Sequence, residues 1–206
     1  MESVLWSAPE ARRAGSHLLV MLHGYGSTEE RMRDLFAALP DGVTGAALRG
    51  PFPVGSDYGW FLLDPLLQSD TGEVIEAGTV LLSRIDRLRR EGGFTGVSLL
   101  GFSQGMAMAV TILRLRPRAF TAVVGLSGFV AENELLAMAE PLPEPVPFFW
   151  GRDRRDWMIH EDAVAHTAEW LEANTALTMR TYPGMGHRIG AEEVRDVGVF
   201  LRRYLA

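Results

Sequence analysis

A serine between two glycines, in the stretch GFSQG at residues 101–105, is the first candidate for chemistry in this chain. The apolar run 97–102 before it predicts a strand, and the alanine- and methionine-rich run that follows to about Leu115 predicts a helix. A strand–turn–helix this tight forces its central residue into a strained backbone conformation, and the glycines at 101 and 105 relieve the crowding. The pattern favours Ser103 as an exposed nucleophile, although a plain loop between a strand and a helix can carry the same five letters.

A serine hydroxyl needs a base that takes its proton, and the base needs an acid that orients it. His187 follows the predicted strand 177–182 and lies in the glycine-rich loop YPGMGHRIG. The segment after the predicted strand 146–150 contains two acids, Asp153 and Asp156, and spacing alone leaves both open. The residues therefore predict acyl transfer by a serine, a histidine and one of these aspartates.

A third loop, HGYG at residues 23–26, follows the apolar run 17–22. The oxyanion that develops during acyl transfer needs backbone N–H donors aimed at it, and glycines on both sides of Tyr25 let the main chain turn toward the site. The second donor is the N–H of Gln104, next to the nucleophile. The same stretch also predicts an ordinary turn in which Ser27 or Thr28 caps a helix, and the two interpretations are compatible.

Short apolar runs that predict strands alternate along the chain with segments whose spacing or composition predicts helices. The predicted strands are 17–22, 43–48, 97–102, 121–126, 146–150 and 177–182, and the predicted helices are 27–40, 72–93, 104 to about 115, 160–174 and 191–206. This alternation predicts an α/β fold with an open, mostly parallel sheet covered by helices on both faces. Ligands bind such sheets at the carboxyl ends of the strands, where all three loops lie.

Composition narrows the classes of function. At 206 residues, with 47% hydrophobic and 22% charged residues, the chain predicts a single globular domain over 1–206. A net charge of −6 with scattered arginines argues against nucleic acid as a partner, and the absence of cysteine excludes disulfides and thiolate chemistry. No run is apolar enough for a secretory signal or a stable membrane insertion, so we expect a cytoplasmic protein.

Six stretches together resemble one known family. They are LHGYGS (22–27), RGPFPVGSDYGWF (49–61), LLGFSQGMAMA (99–109), GLSGF (125–129), FFWGRDRRDWMI (148–159) and YPGMGHRI (182–189). In this order they are similar to motifs of the small carboxylesterase, lysophospholipase and acyl-protein thioesterase family of the α/β-hydrolase fold. The resemblance implies that fold without a large lid domain, and a serine esterase that needs no metal and no organic cofactor.

The resemblance also implies a role for each candidate residue. Ser103 is the nucleophile, His187 the general base and then acid, and the backbone N–H groups of Tyr25 and Gln104 form the oxyanion hole. The family's acid precedes a short apolar turn that ends in proline, and DWMIH matches this pattern with Asp156 as the acid and His160 in place of the proline. Asp153 stays open as the second choice.

An acyl group needs an apolar pocket, and the loops that crown the predicted sheet are rich in apolar side chains. The expected pocket residues are Phe52, Trp60, Phe61, Leu62, Leu63, Phe129, Trp157, Met158 and Ile189. The segment FLLDPLLQSDTGEV (61–74), which in the family covers the site, is short, so we expect an open site for short to medium acyl chains. The substrate is then a small-molecule ester.

Several alternatives to a carboxylesterase remain at this stage. A lysophospholipase and an acyl-protein thioesterase use the same site, and a serine peptidase on the same fold is disfavoured by the small size of the chain. A binding protein that has lost catalysis lacks a member of the triad, whereas this chain has all three. The assembly is also open, since small esterases of this kind often form homodimers.

Overall fold

A sheet that is parallel except at one edge forms the centre of the computed structural model, which describes residues 3–63, 70–138 and 140–205. Its strands are β1 (Val4–Trp6), β2 (His17–Leu22), β3 (Val43–Leu48), β6 (Val97–Phe102), β7 (Val123–Leu126), β8 (Val146–Arg152) and β9 (Thr175–Thr181), while β4 (Phe52–Val54) and β5 (Asp57–Gly59) form a separate hairpin. Within the described residues the strand order is β1-β3-β2-β6-β7-β8-β9, and β1 alone runs antiparallel. This confirms the predicted fold class.

Helices connect the parallel strands. They are α1 (Thr71–Gly92), α2 (Gln104–Leu115), α3 (Glu134–Ala137), α4 (Glu161–Asn174) and α5 (Ala191–Leu205), and 3₁₀ helices lie at Glu10–Arg12 and Glu29–Ala38. The side chain of Asp70 accepts hydrogen bonds from the N–H groups of Gly72 and Glu73 and so starts α1. Gly93, at φ +63°, ends α1 in a left-handed conformation that suits glycine.

The core has one layer on each face of the sheet, because successive residues of a strand point to opposite faces. Leu18, Val20 and Leu22 of β2 pack in the layer that contains α2, whereas Leu19 and Met21 pack in the layer that contains α5. All five of these side chains are fully buried. Burial on both faces explains why the strands read as continuous apolar runs in the sequence.

The structure differs from the predicted elements at a few places. β1, the β4–β5 hairpin and α3 were not predicted, since three or four residues are too few to show a periodicity. The predicted helix 27–40 is a 3₁₀ helix over Glu29–Ala38, and Thr28 precedes it without a capping hydrogen bond from its side chain. Of the predicted cover segment 61–74, residues 64–69 lie outside the described residues.

Candidate active site

The turn between β6 and α2 holds Ser103 in a strained conformation, at φ +53° and ψ −122°. The glycines of GFSQG are required by close backbone packing: a Cβ on Gly101 would meet the carbonyl oxygen of Gly105, and one on Gly105 would meet the carbonyl oxygen of Leu22. Gly128 lies against the same turn, because a Cβ there would come within 2.8 Å of the Ser103 carbonyl oxygen. Packing of the sheet against α2 therefore fixes the position of this serine.

His187 lies between Ser103 and Asp156. The Ser103 hydroxyl is 3.0 Å from His187 Nε2, and His187 Nδ1 is 2.8 Å from Asp156 Oδ2. This geometry suits a neutral imidazole that accepts from the serine and donates to the carboxylate. The Asp156 side chain is 1% exposed and also accepts a hydrogen bond from the N–H of Met158, 2.9 Å away. The structure thus brings together the three predicted catalytic residues from three distant loops.

Asp153, the second choice from the sequence, contacts the backbone of the His187 loop and not the imidazole. Its Oδ2 accepts a hydrogen bond from the N–H of Gly186 at 2.7 Å, and its Oδ1 accepts one from the N–H of Arg155 at 2.9 Å. These hydrogen bonds, with that of Arg155 the strongest, hold the pKa of the buried Asp153 carboxyl below its usual range. The two aspartates therefore have separate contacts, one to the histidine ring and one to the loop that carries it.

The HGYG loop lies directly against the nucleophile: a Cβ on Gly24 would be 3.3 Å from the Cβ of Ser103. His23 is fully buried, and its Nε2 accepts a hydrogen bond from the N–H of Gly50 at 3.0 Å while its Nδ1 donates to the carbonyl of Gly24 at 2.7 Å. Burial lowers the pKa of His23, so this ring is neutral at pH 7. His23 shapes the backbone on which Tyr25 sits.

The side chain of Gln104 is a structural link that the sequence did not reveal. It is fully buried, accepts a hydrogen bond from the N–H of Trp60 at 2.9 Å and donates one to the carbonyl of Phe61 at 2.8 Å. The Trp60 indole in turn donates to the carbonyl of His23 at 2.8 Å. The nucleophile turn, the residues after β5 and the HGYG loop are thereby joined. The polar side chain next to Ser103, at the start of a mostly apolar helix, was the available signal.

The expected pocket residues occupy different environments. Trp60, Phe61 and Phe129 are buried in the core, and Phe52, Leu63 and Ile189 are half-buried. Leu62 and Met158 are exposed, and Trp157 is 81% exposed, so Trp157 does not line an enclosed pocket in this structure. Phe102 was not predicted as a pocket residue, yet the centroid of its ring lies 5.1 Å from the centroid of the His187 imidazole.

A cavity of about 900 Å³ opens beside the imidazole, and we call it the His187 cavity. It is lined by residues of the HGYG loop, of the 3₁₀ helix Glu29–Ala38 and of α5, including Gly24, Leu35, Phe102, His187, Ile189 and Val194. Ile189 is the expected pocket residue that lines it. Space for a small organic group is therefore available next to His187, which bonds the Ser103 hydroxyl.

This fold, with a serine on a strained turn after a central strand, defines an α/β-hydrolase. The sequence profile of the phospholipase/carboxylesterase family matches residues 59–205. The chain belongs to this family, and it is thus a serine hydrolase that acts on ester bonds. None of the helices among the described residues is both long enough and apolar enough to cross a membrane.

Two named relatives are similar at 24 to 27% identity. The chain is 27% identical to carboxylesterase SOBER1 of Arabidopsis thaliana over 158 residues, which cover 75% of this chain and 64% of that protein. It is 24% identical to acyl-protein thioesterase 1 of Cryptococcus neoformans, with 94% of each chain covered. Among solved structures, esterase PE8 superposes with a TM-score of 0.83 at 25% identity and 99% coverage of both chains. The carboxylesterase of Bacillus cereus shares the fold. It superposes with a TM-score of 0.82 at 17% identity, over 98% of this chain and 94% of that one.

Proposed function

We propose that this single-domain protein is a serine carboxylesterase that hydrolyses carboxylic esters and thioesters of short to medium acyl chains. The observation that carries the proposal is the continuous hydrogen-bonded line from the Ser103 hydroxyl through His187 to Asp156, at 3.0 and 2.8 Å. A base within hydrogen-bond reach of the nucleophile, itself oriented by a buried carboxylate, is the arrangement that acyl transfer requires.

In the first half-reaction His187 Nε2 takes the hydroxyl proton while Ser103 Oγ attacks the carbonyl carbon. The tetrahedral intermediate collapses when the bond to the alcohol or thiol breaks and His187 gives its proton to that leaving group. Water, deprotonated by the same imidazole, then attacks the acyl-enzyme. The bond between the acyl carbon and Ser103 Oγ breaks, His187 returns its proton to that oxygen, and the carboxylic acid is released. Asp156 keeps Nδ1 protonated and stabilises the imidazolium that forms at each step.

The N–H groups of Tyr25 and Gln104 are the proposed oxyanion donors. Gln104 is the first residue of α2, so its N–H belongs to the helix N-terminus, where partial positive charge favours a developing anion. Tyr25 follows Gly24, which packs against Ser103. The ring of Tyr25 is held in turn by close contact with Gly59, where a Cβ would lie 2.8 Å from the Tyr25 ring.

The proposed preference for short to medium chains rests on the shortness of the segment 61–74, and the apolar lining of the His187 cavity by Leu35, Phe102, Ile189 and Val194 offers a surface for such a chain. A hydrolysis series of p-nitrophenyl esters from acetate to palmitate tests it. We expect kcat/KM to be highest between acetate and octanoate. A clear preference for palmitate would contradict this part of the proposal and favour a lipid or acyl-protein substrate.

The catalytic proposal is tested by replacing the nucleophile. Ser103→Ala should lower kcat for p-nitrophenyl butyrate by about 10³-fold or more, with the folded structure retained, because only the attacking oxygen is removed. Ser83→Ala is the matched control, since Ser83 is an exposed residue of α1 whose hydroxyl donates to the carbonyl of Thr79. Hydrolysis that is independent of Ser103, or absent in the wild type, would favour a binding protein that has lost catalysis.

A further inference from the structure

We infer that the His187 cavity binds a negatively charged group on the ester substrate, so that the preferred substrate is a short ester that also carries a carboxylate or phosphate. The inference rests on the proposed function, because it concerns the substrate of the same site. Among the described residues, the cavity is lined by three arginines, Arg31, Arg188 and Arg195, and by one acid, Asp34. An excess of positive charge beside the reacting histidine attracts and orients an anion.

Arg188 is held in place by the loop that carries His187. Its Nε donates to the carbonyl of Met185 at 2.5 Å, and its Nη2 donates to the carbonyl of Gly184 at 3.3 Å. These main-chain acceptors orient the guanidinium without neutralising its charge. The residue directly after the imidazole therefore presents a fixed cation at the edge of the cavity.

Arg31 and Arg195 are exposed, and neither makes an ion pair within residues 3–63, 70–138 and 140–205. Other arginines of this chain do: Arg33, on the same 3₁₀ helix as Arg31, pairs with Glu30 at 2.6 Å. In a protein with 26 acidic and 20 basic residues, these two arginines give the rim of the cavity a local excess of positive charge. Their charge is available to a ligand.

The floor of the cavity is apolar, formed by Met32, Leu35, Phe102, Ile189 and Val194. A ligand that fits both features has a short hydrocarbon part on this floor and an anionic end at the arginines. A half-ester of a dicarboxylic acid has this character, and so does an ester whose alcohol carries a phosphate. The shared chemistry is an anionic group within a few bonds of the scissile ester.

The experiment compares two esters that differ only at the far end of the acyl chain, mono-4-nitrophenyl adipate and 4-nitrophenyl hexanoate. We expect a higher kcat/KM for the adipate, and a fall of about tenfold in the adipate-to-hexanoate ratio when Arg31→Gln and Arg195→Gln are combined. Hydrolysis of the hexanoate should change less than twofold. The ratio should also fall as salt is raised from 20 to 500 mM, because exposed charges are screened.

Two further variants test whether the charge of the cavity causes the change in the ratio. Asp34→Asn removes the opposing charge and should raise the adipate-to-hexanoate ratio two- to threefold. Arg33→Gln is the matched control: it removes an arginine from the same helix that does not line the cavity, and it should leave the ratio unchanged. Circular dichroism of each variant checks that a changed ratio does not arise from unfolding.

A second pair places the charge on the alcohol: 4-acetoxybenzoate and 4-acetoxyphenyl phosphate are each compared with phenyl acetate. A higher kcat/KM for one of these two charged esters shows whether the site prefers a carboxylate or a phosphate. If the double variant leaves the ratio of kcat/KM between the charged and the uncharged ester unchanged for every pair of esters, the inference is overturned, whereas the proposed esterase activity is not affected. If no ester is hydrolysed, the proposed function fails, and calorimetric titration of the protein with adipate then tests the inference separately. We expect the Kd for adipate to be about tenfold higher in the double variant than in the wild type. Equal Kd values, or no binding of adipate, would overturn the inference.

Discussion

Two cavities of similar volume, about 900 and 890 Å³, use their arginines in different ways. The first is the His187 cavity. The second, which we call the Arg49 cavity, is lined by Ser3, Arg49, Tyr58, Trp60, Val80 and Arg84, among others. In the Arg49 cavity the arginines are bound by groups of the protein itself. In the His187 cavity Arg31 and Arg195 have no acidic partner among the described residues.

The contacts of the Arg49 cavity are structural. Arg49 donates two hydrogen bonds to Glu29, at 2.8 and 2.7 Å, and lies 4.7 Å above the ring of Tyr58. Arg84 donates to the carbonyls of Arg49 and Ser3, at 2.9 and 2.7 Å. These bonds join the residue after β3, helix α1 and the N-terminal segment to the start of the 3₁₀ helix Glu29–Ala38. A paired guanidinium contributes to the fold, whereas an unpaired one beside a reactive group is available for recognition.

This contrast predicts that substitutions on the His187 side reduce activity at constant stability, whereas substitutions that break the contacts of Arg49 and Arg84 reduce stability at constant activity. The largest effect is expected for Asp156→Asn. The amide no longer stabilises the imidazolium or fixes the Nδ1–H tautomer, so kcat should fall by about 10³- to 10⁴-fold. Steady-state kinetics with p-nitrophenyl butyrate measure this, with thermal melting as the check on folding. A loss below tenfold would remove Asp156 from the proposed triad.

Asp153→Ala should have an intermediate effect. Without the carboxylate that binds the N–H of Gly186, the His187 loop is positioned less firmly, and kcat should fall by about 10- to 100-fold with little change in KM. Arg154→Ala, an exposed neighbour, is the control. If Asp153→Ala lowered kcat as much as Asp156→Asn, the two aspartates would not have separate roles, and the assignment of one to the ring and one to the loop would be wrong.

The smallest effect is expected on the Arg49 side. Burial raises the pKa of Glu29, but hydrogen bonds from Arg49 and Ser3 outweigh burial and leave the pKa below its usual range. Glu29→Ala should therefore lower the free energy of unfolding by about 2 kcal/mol at pH 7, measured by urea denaturation, while kcat stays unchanged. Glu30→Ala is the matched control, since Glu30 pairs with Arg33 on the exposed surface and should cost less than about 0.5 kcal/mol.

The same carboxyl sets a pH dependence. Because the pKa of Glu29 is lower in the folded state, its contribution is fully present above the unfolded pKa, near 4.5, and is lost as the pH falls through the folded value. The stability difference between wild type and Glu29→Ala should thus shrink on acidification below about pH 4.5. A difference that stayed constant from pH 7 to pH 3 would contradict the role given to this ion pair.

Local patterns predicted most of the fold. β2, β3 and β6 have the predicted bounds, and α2 begins at the residue after Ser103. A strand buried on both faces gives a short continuous apolar run, and a helix gives a longer run of helix-forming residues, so both are visible in the local sequence. The 3₁₀ helix at Glu29–Ala38 departs from the expected type where its first carboxylate is buried against Arg49, a residue 20 positions away in the sequence. A tertiary contact of this kind leaves no periodic signal.

The amino-acid sequence by itself determined the fold class, the family, and Ser103 and His187 as candidates, because each of these depends on short-range patterns or on motifs within one loop. Only the tertiary structure decided which aspartate faces the imidazole, what Asp153 and the Gln104 side chain bind, and that Trp157 is exposed. The reason is physical: hydrogen bonds and burial depend on which loops the sheet brings together. Two aspartates three positions apart on one loop cannot be distinguished by local sequence, because their partners lie on a different loop.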